Sequence, residues 1–164
     1  MMDIALTPLT PADGLAAVDL FNHYVRHSFA AFPEEPVPQA FFDRLLEATR
    51  GLPTVVAKDA SGRLLGFALL RPYLPWATSS HVAEISYFVA PDSTGQGLGS
   101  EMLADLETRA RAQGIRTILA SISSLNETSL AFHRKHGFQE VGRFRNIVIK
   151  QGTPFDTVWM QKTL

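Results

Sequence analysis

An α/β architecture of the α+β kind, a mixed central sheet of about six to seven strands flanked by four helices, is what the sequence predicts. Three observations carry the prediction. Segments with strand-like and helix-like apolar spacing follow one another as strand, two helices, three strands, helix, strand, helix, two strands. A mostly apolar strand, Val82 to Ala90, runs straight into a glycine-rich turn and then a helix. The 164 residues are 46% hydrophobic with a formal net charge of -1, enough to bury one core and too balanced for a disordered chain.

Each element has its own warrant. Ile4, Leu6 and Leu9 suggest a short first strand, after which Thr10, Pro11 and Asp13 form an N-cap, a first-turn proline and a capping-box acid. A helix is expected from Pro11 to His27, its apolar stripe made of Leu15, Val18, Phe21 and Val25. The proline-broken stretch SFAAFPEEPVP is a loop, and Pro38 opens a second helix carrying Phe41, Phe42, Leu45 and Leu46, closed by Gly51. Thr54 to Ala57 and Arg63 to Leu70 read as a hairpin joined by KDASG, with Gly62 in a positive-φ position. RPYLPWATSS is a loop before the Val82 to Ala90 strand, whose apolar run is interrupted by one acid, Glu84. Gly97 to Gln113 is a helix closed by Gly114, and Thr117 to Ile122 a strand. Asn126 caps a helix to His136, Gly137 ends it, and closing strands follow near Phe138 to Arg145 and Phe155 to Gln161. No repeat or linker divides the chain, so one domain over residues 1–164 is expected.

Composition narrows the function. The 15 basic residues are scattered, against a nucleic-acid partner, which needs them gathered on one face. Cysteine is absent, which excludes disulfides and thiolate zinc sites and leaves any nucleophile something other than a thiol. The start MMDIALTPLTPADG has no basic segment followed by an apolar one, and apolar runs elsewhere fall short of the ~20 residues of a membrane span, so no membrane partner and a cytoplasmic location are expected.

The turn Thr94-Gly95-Gln96-Gly97-Leu98-Gly99-Ser100 is the strongest chemical signal. Glycines before a helix start let a ligand approach the backbone, where free N–H groups and the helix dipole suit a pyrophosphate. A Walker loop needs Lys then Ser or Thr after the last glycine, but Gly99 is followed by Ser100 and Glu101. A dinucleotide fingerprint needs Gly or Ala at the sixth place, and counting from Gly95 or Gly97 that place holds Ser100 or Met102.

The runs YFVAPDSTGQGLGSEMLADLE and NETSLAFHRKHGF resemble the two signature motifs of the GNAT superfamily of N-acetyltransferases, and within it the phosphinothricin-acetyltransferase-like branch. The superfamily pattern is Gln or Arg, two residues, Gly, one residue, then Gly or Ala. Gly97 and Gly99 supply its glycines, and Thr94 stands where Gln or Arg is usual. The predicted element order matches the GNAT fold over nearly the whole chain. The resemblance implies acetyl-CoA as cosubstrate, with Gln96, Gly97, Leu98, Gly99 and Ser100 around its pyrophosphate and no metal. It further implies that Phe88, Val89 and Ala90 pair their backbone with the pantetheine arm, with the Val89 N–H as oxyanion donor. Asn126 would contact the coenzyme while also capping its helix.

Acetyl transfer to an amine needs a base, an oxyanion donor and a route for the departing thiolate. Glu84 has two readings. An acid in an apolar strand must be paired, solvated or partly protonated. By resemblance, in the pattern Glu, four residues, Val, Ala, Pro, it takes the place of the general base. His133 stands where many superfamily members carry a tyrosine that protonates the thiolate; the alternative is a helical histidine bonded to backbone. His133 and His136, three apart, lack the further ligand that a metal site would need. For the acceptor, Phe32, Tyr73 and Trp76 could line an aromatic pocket and Arg71 could meet a carboxylate. The resemblance places Leu74 and Trp76 where relatives of this branch carry arginines. Asp156 and Trp159, in FDTVWMQ, resemble the end of that branch, where the last strand often helps build a dimer, so a homodimer is implied. The expected function is transfer of acetyl to the primary amine of a small molecule, an amino acid or analogue. The alternatives are an acyl-CoA sensor without turnover and acetylation of a peptide or protein amine.

Overall fold

The computed structural model describes residues 4–164; the first three positions of the domain expected over 1–164 lie outside the described residues. Among the described residues, four α-helices and seven strands follow in the predicted order: β1 (Ala5–Thr7), α1 (Gly14–His27), α2 (Ala40–Ala48), β2 (Thr54–Lys58), β3 (Leu64–Pro72), β4 (Val82–Val89), α3 (Leu98–Ala112), β5 (Thr117–Ser123), α4 (Glu127–Lys135), β6 (Gln139–Lys150) and β7 (Thr153–Thr163).

The entry to α1 differs in detail from the expectation. Pro11–Asp13 form a tight 3-10 turn, and Asp13 Oδ2 accepts the Thr10 N–H at 2.8 Å as the capping pattern requires. The same carboxylate meets Lys58 of β2 at 2.6 Å, tying the helix start to the sheet. Burial alone would raise the Asp13 carboxyl, but hydrogen bonds from Lys58 and Thr10 outweigh it and hold the group below its usual value. Leu15 is a correction: it is 61% exposed, while Ala17, Val18, Phe21 and Val25 are buried. At 100° per residue Leu15 falls at the rim of the buried arc centred on Ala17, Phe21 and Val25. In α2 only Phe42 is fully buried, and truncating a phenylalanine this enclosed costs about 3–5 kcal/mol.

All seven strands form one sheet in the order β1-β2-β3-β4-β5-β7-β6. Every neighbouring pair is antiparallel except β4 with β5. Side-chain alternation buries Val56, Phe67, Leu69 and Phe88 with α1 and α2 on one face. Val55, Ala68, Leu70, Ala83 and Ile85 lie with α3 and α4 on the other. The Asp59–Gly62 turn behaves as read, with Gly62 at φ 85°.

The closing hairpin is longer than the sequence suggested. Asn146, at φ 50°, forms a bulge rather than a stop, because Asp156 Oδ1 accepts its N–H at 2.8 Å and β6 resumes as far as Lys150. Gln151 and Gly152, both at positive φ, make the two-residue turn that suits the twist of the paired strands. Lys150 is 1% exposed and its Nζ donates to the carbonyls of Ser28 and Ala31, at 2.8 and 2.7 Å, pinning the α1–α2 connection to the hairpin. No helix among the described residues is long and apolar enough to cross a membrane.

Candidate active site

The parallel ladder between β4 and β5 is short. It pairs Val82 with Thr117, Ala83 with Ile118 and Glu84 with Leu119, and there it ends, although β4 continues to Val89 and β5 to Ser123. Past Glu84 the two strands part. The alternation of the β3–β4 ladder shows what faces the gap: Tyr73 donates to Val82 and Ala90 donates to Leu65, so even-numbered residues of β4 use their main chain on β3. Tyr87 and Val89 therefore turn their main-chain groups to the gap. Of the three residues expected to offer backbone there, Val89 has its N–H on the open side, whereas the Ala90 N–H is spent on Leu65 at 2.7 Å and Phe88 faces β3. The Val89 carbonyl accepts the Tyr24 hydroxyl at 2.5 Å, fixing the end of β4 to α1.

Beyond β4 the chain enters the glycine turn. Gly95 and Gly97 have φ of 74° and 89°, and a Cβ at either would project into open space. That left-handed backbone explains the glycines, and the open space is room for a ligand. Gly99 has another reason: its Cβ would lie 3.4 Å from the Phe132 ring, so it sets the close approach of α3 to α4. Gly97 is the N-cap residue, and the first N–H groups of α3, on Leu98 and Gly99, have no carbonyl a turn earlier to bond to. Ser100 follows, with its hydroxyl 2.9 Å from His136 Nε2. Gln96 and Thr94 turn inward instead, donating to the carbonyls of Asp92 and Pro91 at 2.8 Å each. A row of free N–H groups at a helix start, beside a strand edge with unpaired amides, fits a pyrophosphate attached to an extended amide-bearing arm. Asn126 caps α4, its Oδ1 accepting the Ser129 N–H at 3.2 Å.

Glu84 sits where the strands part, on the face of α1 and α2. Its Oε1 is 3.1 Å from Nη2 of Arg71, directly opposite on β3, with both side chains partly exposed. Register thus brings together two residues that were read separately. On the same face, next to Glu84 and away from the glycine turn, lies a cavity of about 700 Å³ lined by Tyr73, His81, Val82, Thr117, Leu119 and Trp159 among others. Tyr73 and Trp159 meet edge to face there, with centroids 6.3 Å apart. The other aromatic candidates lie elsewhere: Trp76 is 66% exposed and Phe32 packs on Phe155 as satellite core.

His133 is enclosed on α4, 2% exposed. Its Nδ1 is 2.7 Å from the Ser129 carbonyl, which can only accept, so Nδ1 carries the proton and Nε2 accepts the Tyr87 hydroxyl at 3.0 Å. Burial pushes the imidazole down to about 4 and Tyr87 well above its usual 10. Near neutral pH this histidine is uncharged and its one N–H is committed to backbone, so the geometry favours the backbone-bonded alternative over a donor to thiolate. Tyr87, its partner, had no signal in the sequence beyond its place in the strand. Among the described residues, no cluster of three or more His, Asp or Glu is placed to hold a metal ion.

Known proteins share the sequence pattern and the fold. The acetyltransferase (GNAT) family matches residues 17–138. The L-methionine sulfoximine/L-methionine sulfone acetyltransferase of Pseudomonas aeruginosa is 36% identical over 157 residues, covering 93% of this chain and 90% of that protein. The phosphinothricin N-acetyltransferase of Streptomyces coelicolor is 32% identical over 166 residues, covering 99% and 97%. Among solved structures, a GNAT superfamily phosphinothricin acetyltransferase from Sinorhizobium meliloti in complex with AcCoA superposes with a TM-score of 0.91 at 28% identity, over 99% of this chain and 89% of that one.

Proposed function

The chain belongs to the acetyltransferase (GNAT) family, and from that premise we propose that it transfers acetyl from acetyl-CoA to the α-amine of an amino acid or amino-acid analogue of the phosphinothricin or methionine sulfone type. One observation carries the reading: Glu84 stands at the point where β4 and β5 part, with the glycine turn at the far end of the gap and Arg71 beside it.

Bound acetyl-CoA supplies an activated acyl carbon. The N–H groups of Leu98 and Gly99, with the Ser100 hydroxyl, hold the pyrophosphate, while the open edge of β4 aligns the arm; the Asn126 amide and the Gln96 backbone complete the coenzyme contacts. Glu84 accepts the proton of the attacking amine, through a water. Val89 N–H donates to the acyl oxygen as that atom gains negative charge. Arg71 gives the acceptor a reason to be an amino acid: its guanidinium binds a carboxylate, which leaves the adjacent amine beside Glu84. Tyr73 and the cavity around Trp159 take the side chain. His133 and Tyr87 serve as scaffold: as the C–N bond forms and the thioester C–S bond breaks, the proton that Glu84 took from the amine through the water is the one available to the departing thiolate.

We further propose that the single domain works in the cytoplasm as a homodimer. β6 is one edge of the sheet and exposes apolar side chains on both faces, Phe144 on one and Ile147 and Ile149 on the other, which a second copy pairing along this edge would cover.

The test follows thiol release with methionine sulfone, methionine sulfoximine, phosphinothricin, arylalkylamines and peptides. Turnover with the first three supports the reading. Silence across the panel despite tight acetyl-CoA binding favours a sensor. Glu84→Gln should lower turnover about 10²–10⁴-fold with coenzyme affinity unchanged, and an unaltered rate near neutral pH would remove Glu84 from the chemistry.

A further inference from the structure

Ser100 and His136 meet across the gap between α3 and α4, Oγ to Nε2 at 2.9 Å. The Ser100 N–H is already bonded to the Gly97 carbonyl at 2.9 Å, so the hydroxyl is the group left for anything beyond the helix. That hydroxyl has one proton to give. With the imidazole proton on Nδ1, Nε2 accepts and the Ser100 proton is consumed inside the protein. With a proton on Nε2, the bond reverses: Nε2–H donates to Oγ, and the O–H is freed toward the helix start, where the N–H groups of Leu98 and Gly99 lie. The neutral Nε2–H tautomer does this with no proton uptake, whereas the imidazolium, which a nearby anion favours over either neutral form, does it with one proton taken up.

The imidazole is held in position for this exchange. The Phe132 ring packs on it with centroids 4.3 Å apart, and the same ring closes against Gly99. The charged groups facing it come from three elements: Lys135 from its own helix end, Lys162 from β7 and Glu107 from α3. Glu107 is itself bonded to Lys162 and paired with Arg111. Burial first, then the two lysines, hold His136 below its usual value, with Glu107 opposing them, so an anion arriving at the helix start pulls in the direction the free protein resists.

We propose that His136 is a positioning residue for the coenzyme pyrophosphate, binding of which is coupled to conversion of its neutral ring to the imidazolium, whose Nε2–H turns the Ser100 hydroxyl into a phosphate donor. This rests on the coenzyme reading of the glycine turn. A group whose proton affinity rises on binding makes the complex tighter as pH falls, and protons are taken up from buffer.

Calorimetric titration with coenzyme A between pH 6 and 8, in buffers of different ionisation enthalpy, reads both effects. In His136→Gln the amide still donates to Ser100 but does not titrate, and in Ser100→Ala the acceptor is gone. Comparison with these variants cancels the titration of the ligand itself and of other histidines. The wild type should gain about fivefold more affinity than His136→Gln between pH 8 and pH 6, the size of one additional hydrogen bond to an anion. Its proton uptake should exceed that of both variants, whose thermal midpoints report that they fold. Equal slopes and equal proton counts in all three proteins would overturn the coupling while leaving the coenzyme site intact. A wild type that does not bind coenzyme A at any pH would overturn the coenzyme reading and this inference together.

Discussion

Gly97→Ala and Gly114→Ala impose one backbone penalty at two places, the start of α3 and two residues past its end. The two glycines have φ of 89° and 83°, and in neither case would the new Cβ meet an atom within 4 Å. The cost at each is therefore conformational alone, about 1 kcal/mol for an L-residue held in the left-handed region. In a domain of this size that lowers the melting temperature by about 2–4 °C, equally for both variants. Only at Gly97 does the methyl group enter the space beside the free N–H groups of Leu98 and Gly99. There it should weaken coenzyme A at least about tenfold, the equivalent of about 1.4 kcal/mol. Thermal melts of the free proteins and calorimetric titration with coenzyme A measure the two quantities separately. Equal affinity in the two variants would refute the reasoning, because Gly97 would then be a turn residue with no ligand over it.

Three further outcomes are expected. His133 has its folded-state value at about 4 against an ordinary 6.5, so the unfolded chain takes the proton more readily. Its contribution is full above about 6.5, declines as pH falls toward about 4 and then levels, so about 2 kcal/mol should be lost between pH 7 and pH 5. Urea midpoints at those pH values should show that loss in the wild type and much less in His133→Gln; equal losses would mean the histidine is not buried as described. Arg71→Gln should raise KM for amino-acid acceptors more than about tenfold and leave simple amines unaffected, and an equal change for both would deny it a role in carboxylate recognition. Ile147→Asp with Ile149→Asp, two residues apart on β6 and 61% and 69% exposed, should sediment as a monomer. If the unsubstituted chain also sediments as a monomer, the dimer proposal fails.

The sequence already contained the glycine turn, the Asn126 cap and the order of elements, because each is written in short-range chemistry: a positive φ favours Gly, and a side-chain acceptor three residues before a free N–H marks the start of α4. What it concealed depends on register. Nothing local says that Arg71 stands opposite Glu84, or that the β4–β5 ladder ends at that pair. The extension of β6 was legible in part, since Ile147-Val148-Ile149 is a β-branched run before a Gln-Gly turn. Asn146 disguised it by looking like a breaker, when Asp156 makes it a bulge. His133 could be read either way until its neighbours were known, because a histidine's chemistry lies in what its two nitrogens touch. Leu15 failed for a geometric reason, a stripe drawn one position beyond the arc that α1 buries.

The three residue pairs that join β4 to β5 also have a mechanical meaning. They divide the sheet into a plate of four strands and a plate of three, with α3 and α4 over one face of the joint. Apart from the short edge strand β1, also held by three pairs, a shear applied along the strands meets longer ladders on either side of this seam, so the seam is the compliant line within the sheet. The hydrophobic core under α3 and α4 is shared by both plates and keeps them from separating. An extended molecule with amides along its length, lying in the gap, would act as a suture between the plates and stiffen the domain across the seam that only three residue pairs close.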